Sequence, residues 1–160
     1  MVKNSKNLLI KFILLISIIA LISAFFIEYI LGHQPCNLCI LERIPYFLAI
    51  IVILLNYKFI EFEKFFILFL TIIFLFGTVL SLYHLGIEQG LIQESLVCDL
   101  KSGSDLLLKE EILKQLQEKS VSCKDVTFKM FGLSLTSYNI LISILITFSA
   151  GKIYFNYDKN

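Results

Sequence analysis

Four apolar stretches, each close to the length of a membrane span, constrain this chain more than anything else in it. They run roughly Leu8–Ile30, Ile40–Tyr57, Phe65–Ile87 and Gly132–Phe155. A helix needs about 20 residues to cross a hydrocarbon core of about 30 Å. The composition agrees: 58% of the 160 residues are hydrophobic and the mean hydropathy is +0.83, beyond the usual range of a soluble domain. Charged residues make up 17% and the net charge is +1, which leaves no basic surplus for nucleic acid. The expectation is an all-α membrane protein, a single domain over 1–160, built as a four-helix transmembrane bundle. Lys11 and Glu28 lie near the ends of the first stretch, where long side chains reach the headgroups. Tyr29, Tyr46, Tyr57, Tyr83, Tyr138 and Tyr154 fall near span ends and read as interfacial anchors in a chain without Trp.

The first stretch follows Lys3 and Lys6, as a signal peptide would. Its apolar run is longer than a normal signal core, and no clear small-x-small cleavage site follows, so it is read as a retained span. An even number of spans puts both termini on one side. The short segments there carry Lys3, Lys6, Lys11, Lys58, Lys64, Lys152 and Lys159. The other side carries Lys101, Lys109, Lys114, Lys119, Lys124 and Lys129 over much more chain, with Arg43 at its border. The denser lysines argue for cytoplasmic termini. The cysteines then face an oxidising compartment, where disulfides persist.

Those cysteines come in two pairs. Cys36-Asn37-Leu38-Cys39 follows Pro35 and opens the second span. A helix N-terminus carries unsatisfied N–H groups and partial positive charge. Arg43 lies about one turn beyond Cys39. Both favour a thiolate, the reactive form of cysteine, and Cys39 is the expected holder. The i, i+3 spacing permits a disulfide within a tight turn, of the oxidising and labile kind. A structural disulfide and half of a zinc site are the alternatives. Placement at the membrane edge beside an arginine favours redox chemistry, with no resident metal.

Cys98 and Cys123 lie in the only long loop, residues 89–131. Between them Asp105–Glu118 reads as an amphipathic helix capped by Ser104. It is expected to lie on the membrane surface or to pack on other loop elements. A disulfide between Cys98 and Cys123 would close this loop, a constraint credited with about 3–4 kcal/mol. Such a bridge is structural unless an outside thiolate reaches it.

His84 sits near the outer end of the third span, level with Arg43 and the CxxC. The three together could form a pocket for a polar head group. Glu88, four residues on, can face the same way, and as an ordinary span-end residue it would be solvated. Glu42 reads as a partner of Arg43 or an interfacial charge. Asn139 reads as an interhelical hydrogen-bonding residue.

Taken in order, these residues resemble the bacterial DsbB family of disulfide-generating membrane proteins. Pro35-Cys36-Asn37-Leu38-Cys39-Ile40-Leu41-Glu42-Arg43 is similar to its P-C-x-L-C-x-x-E-R signature. Tyr83-His84-Leu85-Gly86-Ile87-Glu88, Cys98, Cys123 and Phe131–Asn139 support the match, which spans nearly the whole chain and resembles the short branch of the family. The resemblance implies a protein of the bacterial inner membrane. It would reoxidise a periplasmic thioredoxin-like thiol oxidase, DsbA, and pass the electrons to ubiquinone or menaquinone. It implies Cys36 and Cys39 as the quinone-proximal pair. Cys98 and Cys123 would exchange with the partner, Cys98 being attacked first. Arg43 would hold the Cys39 thiolate and the quinone, and His84, with Glu88 behind it, would line the quinone site. A vitamin-K-epoxide-reductase-like enzyme would order its cysteines differently and add a Ser/Thr near the CxxC. A non-enzymatic membrane protein with bracing disulfides would reduce no quinone.

Overall fold

A computed structural model describes residues 2–93, 98, 122–124, 128–130 and 132–157, with the side chains of 2–6 and 130 outside the description. The chain is a four-helix membrane bundle. Helix α1 covers Val2–Tyr29. A short α2, Asn37–Leu41, leads into α3, Ile44–Lys58. A 3-10 turn, Ile60–Phe62, leads directly into α4, Glu63–Glu88. Helix α5 covers Leu135–Phe155. Four helical segments are long and apolar enough to cross a membrane: Asn7–Tyr29, Asn37–Lys58, Ile60–Glu88 and Leu135–Phe155. In lipid a spanning backbone must satisfy its own polar groups, which restricts such segments to helices here. Side chains such as Phe12, Ile22, Phe76, Leu145 and Phe148 point outward, where lipid replaces a protein partner.

Lipid is as apolar as leucine, so burial alone does not hold such helices together; close packing and interhelical hydrogen bonds do. Ile13, Ala49, Ile53, Leu70, Phe74 and Ile146 interlock in the central cluster. Helices α3 and α4 approach closely at Gly77, where a Cβ would lie 3.1 Å from the Pro45 ring. Buried hydroxyls bond back to their own helices. Ser17 donates to the Ile13 carbonyl at 2.8 Å and Thr78 to that of Phe74 at 2.8 Å.

Three expectations change. The second span starts at Asn37 rather than Ile40, and it is broken at Glu42–Arg43. Pro45 has no N–H to give to the Leu41 carbonyl, so the helix restarts rather than continues. The fourth span starts at Leu135, not Gly132. Gly132, at φ +82°, turns the chain between two short antiparallel strands, β1 (Lys129–Met130) and β2 (Leu133–Ser134), with Lys129 opposite Ser134. Ser134 then caps α5 by accepting from the Ser137 N–H. Tyr46 is buried rather than interfacial. The amphipathic helix expected over Asp105–Glu118 lies outside the described residues.

Candidate functional site: two disulfides and a buried polar network

Cys36 is the N-cap of α2, and its sulfur accepts a hydrogen bond from the Cys39 N–H at 3.2 Å. The two cysteines are joined in a disulfide with Cα atoms 5.1 Å apart, and Cys98 is joined to Cys123 with Cα atoms 5.8 Å apart. Cys36, Cys98 and Cys123 share one buried cluster with Leu38 and Ile87, and Cys39 packs against it. Asn37, inside the CxxC, donates to the Cys98 carbonyl at 3.4 Å. The second pair is thus not laid open to water: Cys98 is 3% and Cys123 2% exposed.

The two charged residues between α2 and α3, both with right-handed helical backbone, meet different partners. Arg43 Nη1 donates to Glu28 Oε2 on α1 at 2.6 Å, and the guanidinium stacks over Phe25, 5.3 Å from the ring centroid. Its ionic partner is therefore Glu28, and Glu28 is no free headgroup charge. Glu42 turns inward and takes no part in pairing Arg43. Its Oε1 lies 2.8 Å from His84 Nδ1, and its Oε2 accepts from Asn139 Nδ2 at 2.9 Å.

His84 is only 1% exposed. Its Nε2 lies 3.5 Å from Cys36 Sγ, and Thr136 Oγ1 lies 3.3 Å from its Nδ1. The network assigns the ring's proton. Thr136 spends its own hydrogen on Glu88 Oε1 at 2.6 Å, so it can only accept from Nδ1. Glu42 accepts there as well. Nδ1 therefore carries a hydrogen and donates it, and Nε2 is the ring nitrogen that faces the Cys36 sulfur. Glu88 is drawn into this network and is not solvated: its side chain is 8% exposed, and its carboxylate lies 3.8 Å from His84 Nε2. Asn139 also donates to Ser81 Oγ at 2.7 Å, and the Tyr46 hydroxyl donates to Asn139 Oδ1. Asn139 thus bonds between helices, as expected.

The structure brings Cys36, Cys39, Cys98, Cys123, His84 and Glu88 to one end of the bundle, and Arg43 to its outer edge between α1 and α3. Sequence reasoning read Glu42 as a partner of Arg43 or an interfacial charge, where the structure pairs it with His84 and Asn139, and it gave Ser81, Thr136 and Tyr46 no place in the site. The signal was available as helical spacing. Ser81, His84 and Glu88 recur at i, i+3 and i+7 on α4, Thr136 and Asn139 at i and i+3 on α5, and Glu42 and Tyr46 at i and i+4. The first two sets each lie on one face of a single helix, and Glu42 stands one turn before Tyr46 at the entry to α3.

Arg43 is a residue that could hold a carbonyl oxygen of a cofactor: a guanidinium has five N–H donors, its side chain is 18% exposed, and the Phe25 ring it stacks on is exposed as well.

Comparison with known proteins agrees with this architecture. A family model described as disulfide bond formation protein DsbB matches residues 6–152. The chain is also similar to an uncharacterized protein of Rickettsia prowazekii (strain Madrid E), 34% identical over 147 residues. That match covers 91% of this chain and 85% of the other.

Proposed function

This chain belongs to the DsbB family of disulfide bond formation proteins, and on that premise we propose that it is a protein-dithiol:quinone oxidoreductase. In this reading it reoxidises a periplasmic DsbA-like partner and passes the electrons to membrane quinone. Its termini are cytoplasmic and its cysteines periplasmic, in a bacterial inner membrane. The observation that carries the reading is the packing of both disulfides into one buried cluster, against a histidine whose Nε2 faces Cys36. Bracing disulfides have no need to touch one another or a buried imidazole.

The thiol steps balance as exchanges. A partner thiolate attacks Cys98, and Cys123 leaves as a thiolate. The partner's second thiol then displaces Cys98 and completes the partner's disulfide. The reduced Cys98/Cys123 pair opens Cys36–Cys39 by the same two substitutions, and its own disulfide re-forms. For the first attack, the segment bearing Cys98 must lift off Leu38 and Ile87. His84 accepts the Cys36 proton as that thiol is reoxidised, held for the task by Glu42 through Nδ1. Arg43 steadies the Cys39 thiolate and offers N–H donors to carbonyl oxygens at the membrane edge. Glu88, through Thr136, keeps the His84 ring in place. Bound quinone supplies the two-electron oxidising capacity; two electrons and two protons leave the Cys36/Cys39 pair.

The test is reconstitution in lipid nanodiscs with a reduced DsbA-like protein and a soluble quinone. One quinol should form for each partner disulfide made. Cys36→Ser and Cys98→Ser should each abolish it. A folded protein that leaves both partner thiols and quinone unchanged would make the disulfides braces.

A further inference from the structure

We propose that the reduced form of this protein is a site for a thiophilic divalent cation, Zn²⁺ or its analogues. Cys36 Sγ, Cys39 Sγ and His84 Nε2 are the ligands, and the bound ion locks the dithiol against reoxidation. The three ligand atoms already lie within 4.8 Å of one another in the oxidised protein. Zinc bonds of about 2.3 Å to sulfur and about 2.0–2.1 Å to nitrogen, at tetrahedral angles, put sulfur and nitrogen about 3.6 Å apart and two sulfurs about 3.8 Å apart. His84 Nε2 and Cys36 Sγ stand at 3.5 Å. Once the S–S bond is cut, side-chain rotation alone opens the sulfurs to the second distance.

The ring is oriented as a metal requires, with Nδ1 bonded to Glu42 and Nε2 turned toward the cysteine sulfurs. The Glu42 carboxylate on Nδ1 at 2.8 Å is the outer partner that orients metal-binding imidazoles and raises their basicity. Such ligand support serves no purpose in a disulfide brace. The fourth position falls to water or to the Glu88 carboxylate, 3.8 Å from Nε2. The oxidised pair offers no thiolate, so binding is gated by redox state. Reduction adds two electrons and two protons to the disulfide. A phosphine reductant supplies the electrons and leaves as its oxide, taking its oxygen from water. Binding of the ion then expels the thiol protons to solvent, with no redox change at the metal. This inference needs the reduced pair alone and does not depend on the quinone reading.

The experiment uses the full chain in nanodiscs, oxidised or reduced with the phosphine, titrated with Co²⁺ and then Zn²⁺. A Cys98→Ala/Cys123→Ala variant keeps the second pair out of the titration. The expected result is one equivalent of Co²⁺ per reduced chain, with tetrahedral visible bands and thiolate charge-transfer absorption, displaced by Zn²⁺. The oxidised chain should bind none. His84→Gln should weaken binding at least tenfold, and Glu42→Gln by about 10–100-fold, the usual cost of losing an outer-shell partner. Zn²⁺ should block reoxidation of the pair by diamide, and a chelator should restore it. Should Glu42→Gln fail to fold, His84→Gln and the wild-type Co²⁺ spectrum still decide. Absence of binding by the reduced chain, or equal affinity in His84→Gln, would overturn the site.

Discussion

Arg43 and Glu42 stand next to each other and do different work. Arg43 holds α1 through Glu28 and Phe25. Two roles follow, and they separate in mutants. If Arg43 acts on quinone, Arg43→Ala should raise the apparent KM for quinone by about 10–100-fold, the worth of one charge-assisted hydrogen bond. Arg43→Lys should fall between, since it keeps the charge and loses the planar fork. Glu28→Gln should change the rate little. If Arg43 only ties α1 to α3, Glu28→Gln should do as much damage as Arg43→Ala, and the surviving folded enzyme should turn over normally. Initial rates per folded molecule across a quinone titration tell the two apart. The Asn139 side chain is the hub between Glu42, Ser81 and Tyr46. Hydrogen bonds between membrane helices average about 0.6 kcal/mol, with a maximum near 1.7. Losing three in Asn139→Leu should cost about 2 kcal/mol in an SDS unfolding titration. Thr147 is the contrast: its buried hydroxyl has no partner among the described residues. Thr147→Val should be neutral or stabilising, and a loss above about 1 kcal/mol would mean that the hydroxyl is bonded.

At the scale of elements, Pro45 interrupts the hydrogen-bond ladder and α2 ends at Leu41, while Glu42 and Arg43 keep right-handed helical backbone. One helical step already turns neighbouring side chains about 100° apart, so the Glu42 carboxylate meets His84 while the Arg43 guanidinium meets Glu28. The same proline meets Gly77 of α4, so the break and the closest α3–α4 approach are one feature. Gly77→Leu has no space to fill and should destabilise by about 1–3 kcal/mol, with Gly77→Ala milder. SDS unfolding, read by circular dichroism, gives both values. Wild-type stability in Gly77→Leu would mean that the helices do not cross there. The periodic polar residues of α4 and α5 were legible as faces in the sequence. Which helix each face meets was not, because spacing along one helix says nothing about its neighbour.

For the molecule as a whole, the second disulfide is buried against the first. In the proposed relay a partner has to uncover Cys98 before it can attack, and uncovering it also frees the Asn37 contact. Cys123→Ala should therefore accumulate a mixed disulfide through Cys98 with a reduced DsbA-like protein. It should form faster when Asn37→Ala removes the bond to the Cys98 carbonyl. Mapping the adduct to Cys36 or Cys39 instead would reverse the relay. In reduced, intact cells an impermeant thiol reagent should reach Cys98 from outside. Labelling only after permeabilisation would invert the topology.

Span number and the CxxC at the head of the second span are properties of the sequence alone. Apolar length and local spacing are recorded residue by residue, and no neighbour can change them. The grouping of both cysteine pairs toward one end of the molecule follows from the two spans that lie between them. Other features were settled only by tertiary packing: Glu42 on His84 rather than Arg43, Glu28 on Arg43, Glu88 drawn inward by Thr136, Tyr46 buried, and the two disulfides in one cluster. The physical reason is the same in each case. A polar group inside a lipid-covered bundle takes the nearest partner on another helix, and where the helices cross is not written in the periodicity of any single span.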